Sequence, residues 1–230
     1  MVKQAQEAQA APRGGRPKSE EKARAILEAA KDLFLAQGLH GTSMDAVARE
    51  AGVSKQTVYG HYENKETLFR ACIRSKVEEF GFREEGLPES AGARELLLAV
   101  CRRFMALVCD PDVVAMYRVV IAEAVSHPRI AELFFESGPV ATKSAVSAVL
   151  GDLSARGELR PHDRNYASWE LFNLCFGHIH TRLLFGLIRE VPPEELEEQV
   201  GRAVDDFLVL YGSGRSGDGA VAVSRSKAPK

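Results

Sequence analysis

The sequence predicts an all-α chain in two parts, a small N-terminal helical domain and a larger C-terminal helical bundle. Three observations carry that prediction. Apolar residues recur at helical spacing through most of the chain, while no segment alternates with period two for long enough to form a strand. Capping residues and glycines cut these stripes into pieces of helical length. The composition, 45% apolar and 27% charged over 230 residues, is that of a soluble globular chain with room for a small domain and a larger one.

Residues 1–18 are polar and end in Pro12-Arg13-Gly14-Gly15-Arg16-Pro17-Lys18, which reads as a disordered basic arm. Ser19 is a good N-cap for a first helix, with Glu20 and Glu21 at its positive end. Ile26, Leu27, Ala30, Leu33 and Phe34 share one face of that helix, and Gly38 stops it. Thr42 and Asp45 have the spacing of a capping box, with Asp in place of the usual Glu, and open a short second helix. Val47, Ala48 and Ala51 form its inner face. Gly52 breaks it, and Ser54 caps a third helix that turns Val58 and Tyr62 inward. Asn64 caps a fourth, longer helix through Leu68, Phe69, Ile73, Val77 and Phe80. Residues 19–80 thus read as one small domain.

Beyond Gly86-Leu87-Pro88 the helices become longer and more apolar, and residues 81–211 read as the second domain. Helices are expected near 90–109, 111–126, 128–136, 139–156, 163–189 and 193–211, with Asp110-Pro111 supplying a cap followed by a first-turn proline. Gly157-Glu158-Leu159-Arg160-Pro161 reads as a plain connector. From Gly212 to residue 230 the chain is Gly, Ser, Ala and charge, a disordered tail. Its Gly212-x-Gly214-x-x-Gly217 matches a dinucleotide-binding pattern by letter only, because no strand enters it and no helix leaves it.

Charge is unevenly distributed along the chain. The net charge is −2, yet residues 1–76 hold 13 Lys/Arg against 9 Asp/Glu, residues 77–212 hold 13 against 22, and the rest holds 4 against 1. A basic N-terminal part permits a polyanionic partner without requiring one, since chance clustering on solvated faces gives the same count. No stretch reaches the length of a membrane helix and no signal peptide is visible, so the chain is expected to be cytoplasmic with no membrane partner. Cys72, Cys101, Cys109 and Cys175 show no metal-ligand spacing and read as reduced core thiols, with an oxidation-sensing pair such as Cys101 and Cys109 as the alternative. On a continuous helix His178 and His180 point to nearly opposite sides, while Cys175 and His178 share a face; two ligands make no metal site. No catalytic arrangement stands out, and no enzyme activity, cofactor or metal is expected.

The third helix carries the chemistry. A helix-turn-helix needs a short scaffold helix, a tight turn and a second helix whose outer face enters the major groove. Ala48 allows close helix crossing, Gly52 takes the turn, and Val53 and Val58 hold the two helices together. Lys55, Gln56, Thr57, Tyr59, Gly60 and His61 are left to face outward, in a motif spanning about 43–62. Lys55 and Gln56 in the first turn suit base edges, Lys toward guanine and Gln toward adenine. Thr57, Tyr59 and Lys65 suit phosphate contacts. Gly60 costs the helix about 1 kcal/mol relative to Ala, and its missing side chain would let the backbone approach the groove.

The run Thr42-Ser43-Met44-Asp45-Ala46-Val47-Ala48-Arg49-Glu50-Ala51-Gly52-Val53-Ser54-Lys55-Gln56-Thr57-Val58-Tyr59-Gly60-His61-Tyr62-Glu63-Asn64-Lys65-Glu66-Thr67-Leu68-Phe69 closely resembles the DNA-binding domain of the TetR/AcrR family of regulators. The resemblance extends over about residues 20–80. It implies DNA contacts from Thr42, Ser43, Lys55, Gln56, Thr57, Tyr59, His61 and Lys65, and more weakly from Arg16 and Lys18. It also implies an inward-packed Tyr62. Farther on, Met116-Tyr117-Arg118-x-x-x-x-Glu123, Pro128, Phe134-Phe135-x-x-Gly138-Pro139 and Gly157-Glu158-Leu159 resemble the AefR-like branch of that family.

The resemblance implies a homodimer, with helices about 139–156 and 163–189 at the subunit seam, where Ala141, Ala145, Ala148 and Val149 are small enough for close approach. It also implies a double-stranded DNA operator as partner and a small, mostly apolar effector in the larger domain. Phe104, Met105, Met116, Tyr117, Phe135, Trp169, Phe172 and Phe176 are the candidate effector-binding residues; alternatively they are simply core and dimer seam. The expected function is a ligand-responsive repressor on a pseudo-palindromic operator. The alternative is a DNA-binding dimer with a filled core that senses no small molecule and acts as an architectural or partner-gated factor.

Overall fold

In a computed structural model of the chain, residues 16–82 and 91–214 are described. Among these residues all regular structure is helical, in the order α1 (Arg16–Gly41), α2 (Met44–Glu50), α3 (Lys55–His61), α4 (Lys65–Glu79), α5 (Ala93–Cys109), α6 (Pro111–Ala124), α7 (Arg129–Ser137), α8 (Pro139–Ala155), α9 (Arg164–Phe176), α10 (Ile179–Leu184) and α11 (Pro193–Tyr211). No helix among them is long and apolar enough to cross a membrane.

The chain forms two compact units. Among the described residues, one takes 16–75 together with Arg118–Ser137; the other takes 76–82, 91–117 and 138–214. A single cut at residue 80 therefore does not describe the packing, since the segment 118–137, from the middle of α6 to the end of α7, belongs with the N-terminal helices.

The first unit is built on Ile26, Ala30 and Phe34 of α1, Val47 and Ala48 of α2, Val58 of α3, and Leu68 and Phe69 of α4, all buried. The rings of Phe34 and Phe69 meet edge to face at 5.2 Å. The second unit is a bundle of α5, α8, α9 and α11, packed through Leu97, Val100, Leu150, Leu171, Val204 and Phe207. Asp110 Oδ1 accepts from the amides of Asp112 and Val113, and Asp163 Oδ1 from Asn165 and Tyr166, so the two carboxylates cap α6 and α9.

Three local expectations need correction. First, α1 begins at Arg16 rather than at Ser19, because Pro17 can be accommodated in a first helical turn, where its missing N–H has no helical partner. Second, Ser43 rather than Thr42 caps α2, its Oγ accepting from Ala46 N at 3.1 Å. Third, the single helix expected over 163–189 is broken into α9 and α10 at Gly177, where φ is +45°. The Gln199 side chain donates to the carbonyl of Leu174 at 2.7 Å and so serves the end of α9.

The expectations for residues 1–15, for the Gly86-Leu87-Pro88 connector and for the tail from 215 lie outside the described residues. The beginning of that tail is tied down. Gly212 bridges Leu159 in antiparallel fashion, Arg160 N donates to Tyr211 O at 2.7 Å, and Ser213 N donates to Glu158 O at 3.0 Å. Gly212 thus follows a helix and not a strand, which is the wrong setting for a dinucleotide loop.

Candidate nucleic-acid interface

The turn between α2 and α3 follows from its sequence. Gly52 has φ +65°, its N–H donates to Arg49 O at 3.2 Å, and Val53 N donates to Ala48 O at 3.0 Å. That pair of bonds is a Schellman ending, which satisfies the last carbonyls of α2 and requires the left-handed glycine. Ser54 then caps α3: its Oγ accepts from Thr57 N at 3.1 Å and lies 2.8 Å from Thr57 Oγ1. Val58 is fully buried and fixes the rotation of α3. Consequently Lys55, Gln56, Gly60 and His61 are exposed, and Tyr59 is 53% exposed. A Cβ added at Gly60 would meet nothing within 4 Å. Tyr62 is half-buried, and that burial raises its phenol pKa.

The eight residues expected at DNA divide into two groups. Ser43, Lys55, Gln56, Tyr59 and His61 stand exposed, with Thr57 partly so. Lys55 is paired with Asp45 across the turn, so its charge is shared in this state. Thr42 and Lys65, by contrast, already have structural partners. Thr42 is buried, with its hydroxyl donating to Gly38 O at 2.7 Å. The Lys65 ammonium donates to the carbonyls of His40 at 3.0 Å and Thr42 at 3.4 Å. Both residues hold the α1–α2 corner from inside.

That corner has a third support, which sequence reading missed. Gly38 interrupts α1 with φ +71° and ψ 176°. Two amides at the break, Leu39 N and His40 N, donate to the carboxylate of Glu123 on α6 at 2.9 and 2.6 Å. The imidazole of His40 stacks on that of His127 at 4.1 Å. Around them, Arg70 pairs with Glu136 at 2.7 Å, and Arg129 with Glu66 at 3.3 Å. The segment 118–137 is thereby fastened to the scaffold of the helix-turn-helix. Glu123 stood in a motif already noted, but nothing local marks a residue whose partners lie more than 80 positions earlier.

In the second unit, the structure brings together most of the expected aromatic residues. Phe104 stacks on Phe172 at 4.0 Å and meets Phe176 edge to face at 5.2 Å, while Trp169 meets Phe172 at 5.9 Å. Tyr117 reaches the group through His180, whose ring lies 5.0 Å from Tyr117 and 4.5 Å from Phe176. Burial pushes the Tyr117 phenol up to about 12. Met105 and Met116 are buried. Phe135 belongs to the first unit and is 52% exposed.

His178 is exposed and lies 3.4 Å from Glu195, whereas Cys175 is fully buried, so the same-face pairing expected of a continuous helix does not form. Cys175 instead lies against Cys101, and that contact with burial raises its thiol pKa well above the ordinary value. Cys109 is pushed up to about 11 by burial, which makes it a poor nucleophile. No group of three His, Cys, Asp or Glu side chains suited to a metal occurs among the described residues.

Comparison with known proteins agrees with this arrangement. Residues 26–72 match the model for bacterial regulatory proteins of the tetR family. Residues 95–213 match the model for the C-terminal domain of AefR-like transcriptional repressors. The chain is 29% identical to the transcriptional activator FasR of Mycolicibacterium smegmatis, over 65% of this chain and 67% of that protein. It is 26% identical to the transcriptional regulator UidR of Escherichia coli, over 77% and 85% of the two chains. Among solved structures it is similar to the flavonoid-responsive regulator FrrA, with a TM-score of 0.69 and 31% identity, covering 84% of this chain and 98% of that one.

Proposed function

The chain belongs to the TetR family of DNA-binding transcription regulators and is not an enzyme, and from that premise we propose that it is a ligand-responsive repressor acting as a homodimer on a pseudo-palindromic operator. The observation that carries the DNA reading is the outer face of α3. Val58 is buried beneath it, while Lys55, Gln56, Tyr59 and His61 stand exposed on a helix fixed by the Ser54 cap and the Gly52 turn. Lys55 and Gln56 read base edges; Ser43, Thr57, Tyr59 and His61 contact the backbone. Thr42 and Lys65 act from behind by holding the corner that presents α3.

A homodimer through α8 and the α9–α10 pair sets two α3 helices about one DNA turn apart, roughly 34 Å. The half-buried Ala141 and Ala145, the exposed Ala148, and the 76% exposed Phe185 and 71% exposed Leu187 support that seam. An effector among Phe104, Tyr117, Trp169, Phe172 and Phe176 shifts operator affinity, and converting mostly bound to mostly released takes a preference of about 5 kcal/mol between the two states. The response of FrrA to flavonoids is consistent with an aromatic site of this kind. The match to AefR-like repressors favours repression. Burial of Phe104, Met105 and Phe172 within the continuous core favours a second reading, a DNA-binding dimer that senses no small molecule.

Fluorescence anisotropy with DNA from the chain's own promoter region tests the main reading. Gln56→Ala should flatten the preference between operator and scrambled DNA. Lys55→Ala should likewise cost the operator more than scrambled DNA, because a base contact is lost. If neither variant changes DNA binding, α3 is not the reading helix. Thermal shift with a panel of apolar and aromatic compounds separates the two readings: a filled core predicts no stabilising compound.

A further inference from the structure

His180 stands out among the buried polar groups of the second unit. It is 8% exposed, and its Nε2 is shielded from solvent without any hydrogen-bond partner among the described residues. A buried polar atom of this kind costs stability unless something completes its bonding, and such atoms are rare in native interiors. Its surroundings are aromatic. Tyr117 presents its ring at 5.0 Å and 77°, Phe176 lies tilted at 4.5 Å, and Phe104 and Phe172 extend the array behind Phe176.

No ion pair involves His180 among the described residues, and burial alone lowers its pKa to about 4. The imidazole is therefore neutral near pH 7. Neutral imidazole offers Nε2 as a donor in one tautomer and as an acceptor in the other. A hydroxyl group suits both, since it can give and receive a hydrogen bond. A carboxylate or phosphate would be a buried charge without a counter-ion at this place, which is costly. The aromatic walls favour a flat ring, packed offset or edge on.

We propose, on the ligand-responsive reading above, that His180 Nε2 binds the hydroxyl of an uncharged hydroxylated aromatic effector whose ring packs against Tyr117, Phe176 and Phe104. His180 is thus the specificity residue of the effector site. It selects phenol-like compounds over apolar compounds of the same shape and over long-chain acyl thioesters with charged heads.

The test uses the full chain and calorimetric titration with 2-naphthol, its apolar counterpart 2-methylnaphthalene, and stearoyl-CoA. The wild type should bind 2-naphthol about fivefold more tightly than 2-methylnaphthalene, the worth of one net hydrogen bond of about 1 kcal/mol. His180→Phe should reduce that preference to within about twofold, while the aromatic contacts persist. A readout that needs no variant is the His180 imidazole 15N signal, which 2-naphthol should move and 2-methylnaphthalene should not. Equal binding of the two naphthalenes, or an undiminished preference in His180→Phe, overturns the role of His180. Binding of stearoyl-CoA alone overturns the proposal and leaves ligand response intact. If no compound binds and none alters operator affinity, ligand response itself falls with it.

Discussion

Replacing Glu123 with Ala should loosen the DNA-binding unit from a position that makes no DNA contact in the proposed complex. The carboxylate accepts from Leu39 N at 2.9 Å and His40 N at 2.6 Å. Hydrogen bonds to a charged group contribute about 1.5–3 kcal/mol each, and a buried donor left without a partner costs about 1–3 kcal/mol. Leu39 is buried, whereas His40 is exposed and water can replace the lost oxygen there. The expected loss is therefore about 2–4 kcal/mol, weighted to the Leu39 amide. For a chain of this size that corresponds to a fall in Tm of roughly 5–15 °C.

Gly38→Ala attacks the same contact from the other side. An added Cβ would lie 2.6 Å from Glu123 Oε2, on a residue whose φ of +71° already disfavours any side chain. The two substitutions act on one contact, so the double variant should lose clearly less than the sum of the singles. Urea denaturation and thermal melting measure the stability, and anisotropy with operator DNA measures the function. DNA affinity should fall in parallel, because Thr42 and Lys65 anchor the same corner. A Glu123→Ala protein within about 0.5 kcal/mol of wild type, the usual size of a surface substitution, refutes the assignment; so does strict additivity with Gly38→Ala.

Other outcomes follow from single side chains. Gly60→Ala should raise helix stability by about 1 kcal/mol, since the added methyl meets open space. The same methyl should weaken operator binding if the α3 backbone approaches the groove there; unchanged affinity shows that it does not. Asp45→Asn should free Lys55 and strengthen DNA binding up to about fivefold at low salt, in keeping with the small worth of an exposed ion pair. Titrating NaCl should erase that gain. For His180, the folded pKa of about 4 lies below the ordinary 6.5, so the unfolded chain binds the extra proton between these values. Stability is accordingly lost as pH falls from about 6.5 toward 4, by about 2 kcal/mol after allowance for solvent screening. His180→Phe should flatten that part of a denaturation-versus-pH curve, and an unchanged slope assigns the acid sensitivity elsewhere.

The helix-turn-helix was legible because its turn and its caps are local. The Ser54 cap, the Gly52 turn and the buried Val58 lie within seven residues, and each has a chemical reason to occupy its place. The second unit was legible as helices, through the Asp110 and Asp163 caps, but less so as a site. An apolar stripe such as Trp169, Phe172 and Phe176 shows that a face is covered without showing by what. Thr42 was expected at DNA through the family resemblance, and Lys65 through that resemblance and because lysine suits phosphates. Their engagement with the carbonyls of Gly38 and His40 depends on a corner between three helices that no spacing reveals.

The stop at Gly38 and the break at Gly177 make the same point about range. At Gly38 and at Gly177 the local signal is a glycine with positive φ, and the helix ends it creates leave backbone groups without helical partners. Each break is completed from far along the chain: Glu123 supplies acceptors to the amides at the first, and Gln199 donates to the Leu174 carbonyl at the second. A glycine in a helical stripe says where a helix can break, but a matching distant polar group decides whether it does. The second break also leaves Cβ space only for Gln199, whose amide would sit 2.8 Å from a side chain at 177. Gly177→Ala should therefore expel Gln199, strand the Leu174 carbonyl, and disturb the α9–α10 junction that carries Phe176 and His180. If such a protein keeps its melting temperature and its response to 2-naphthol, then neither the break nor its Gln199 support positions the effector site.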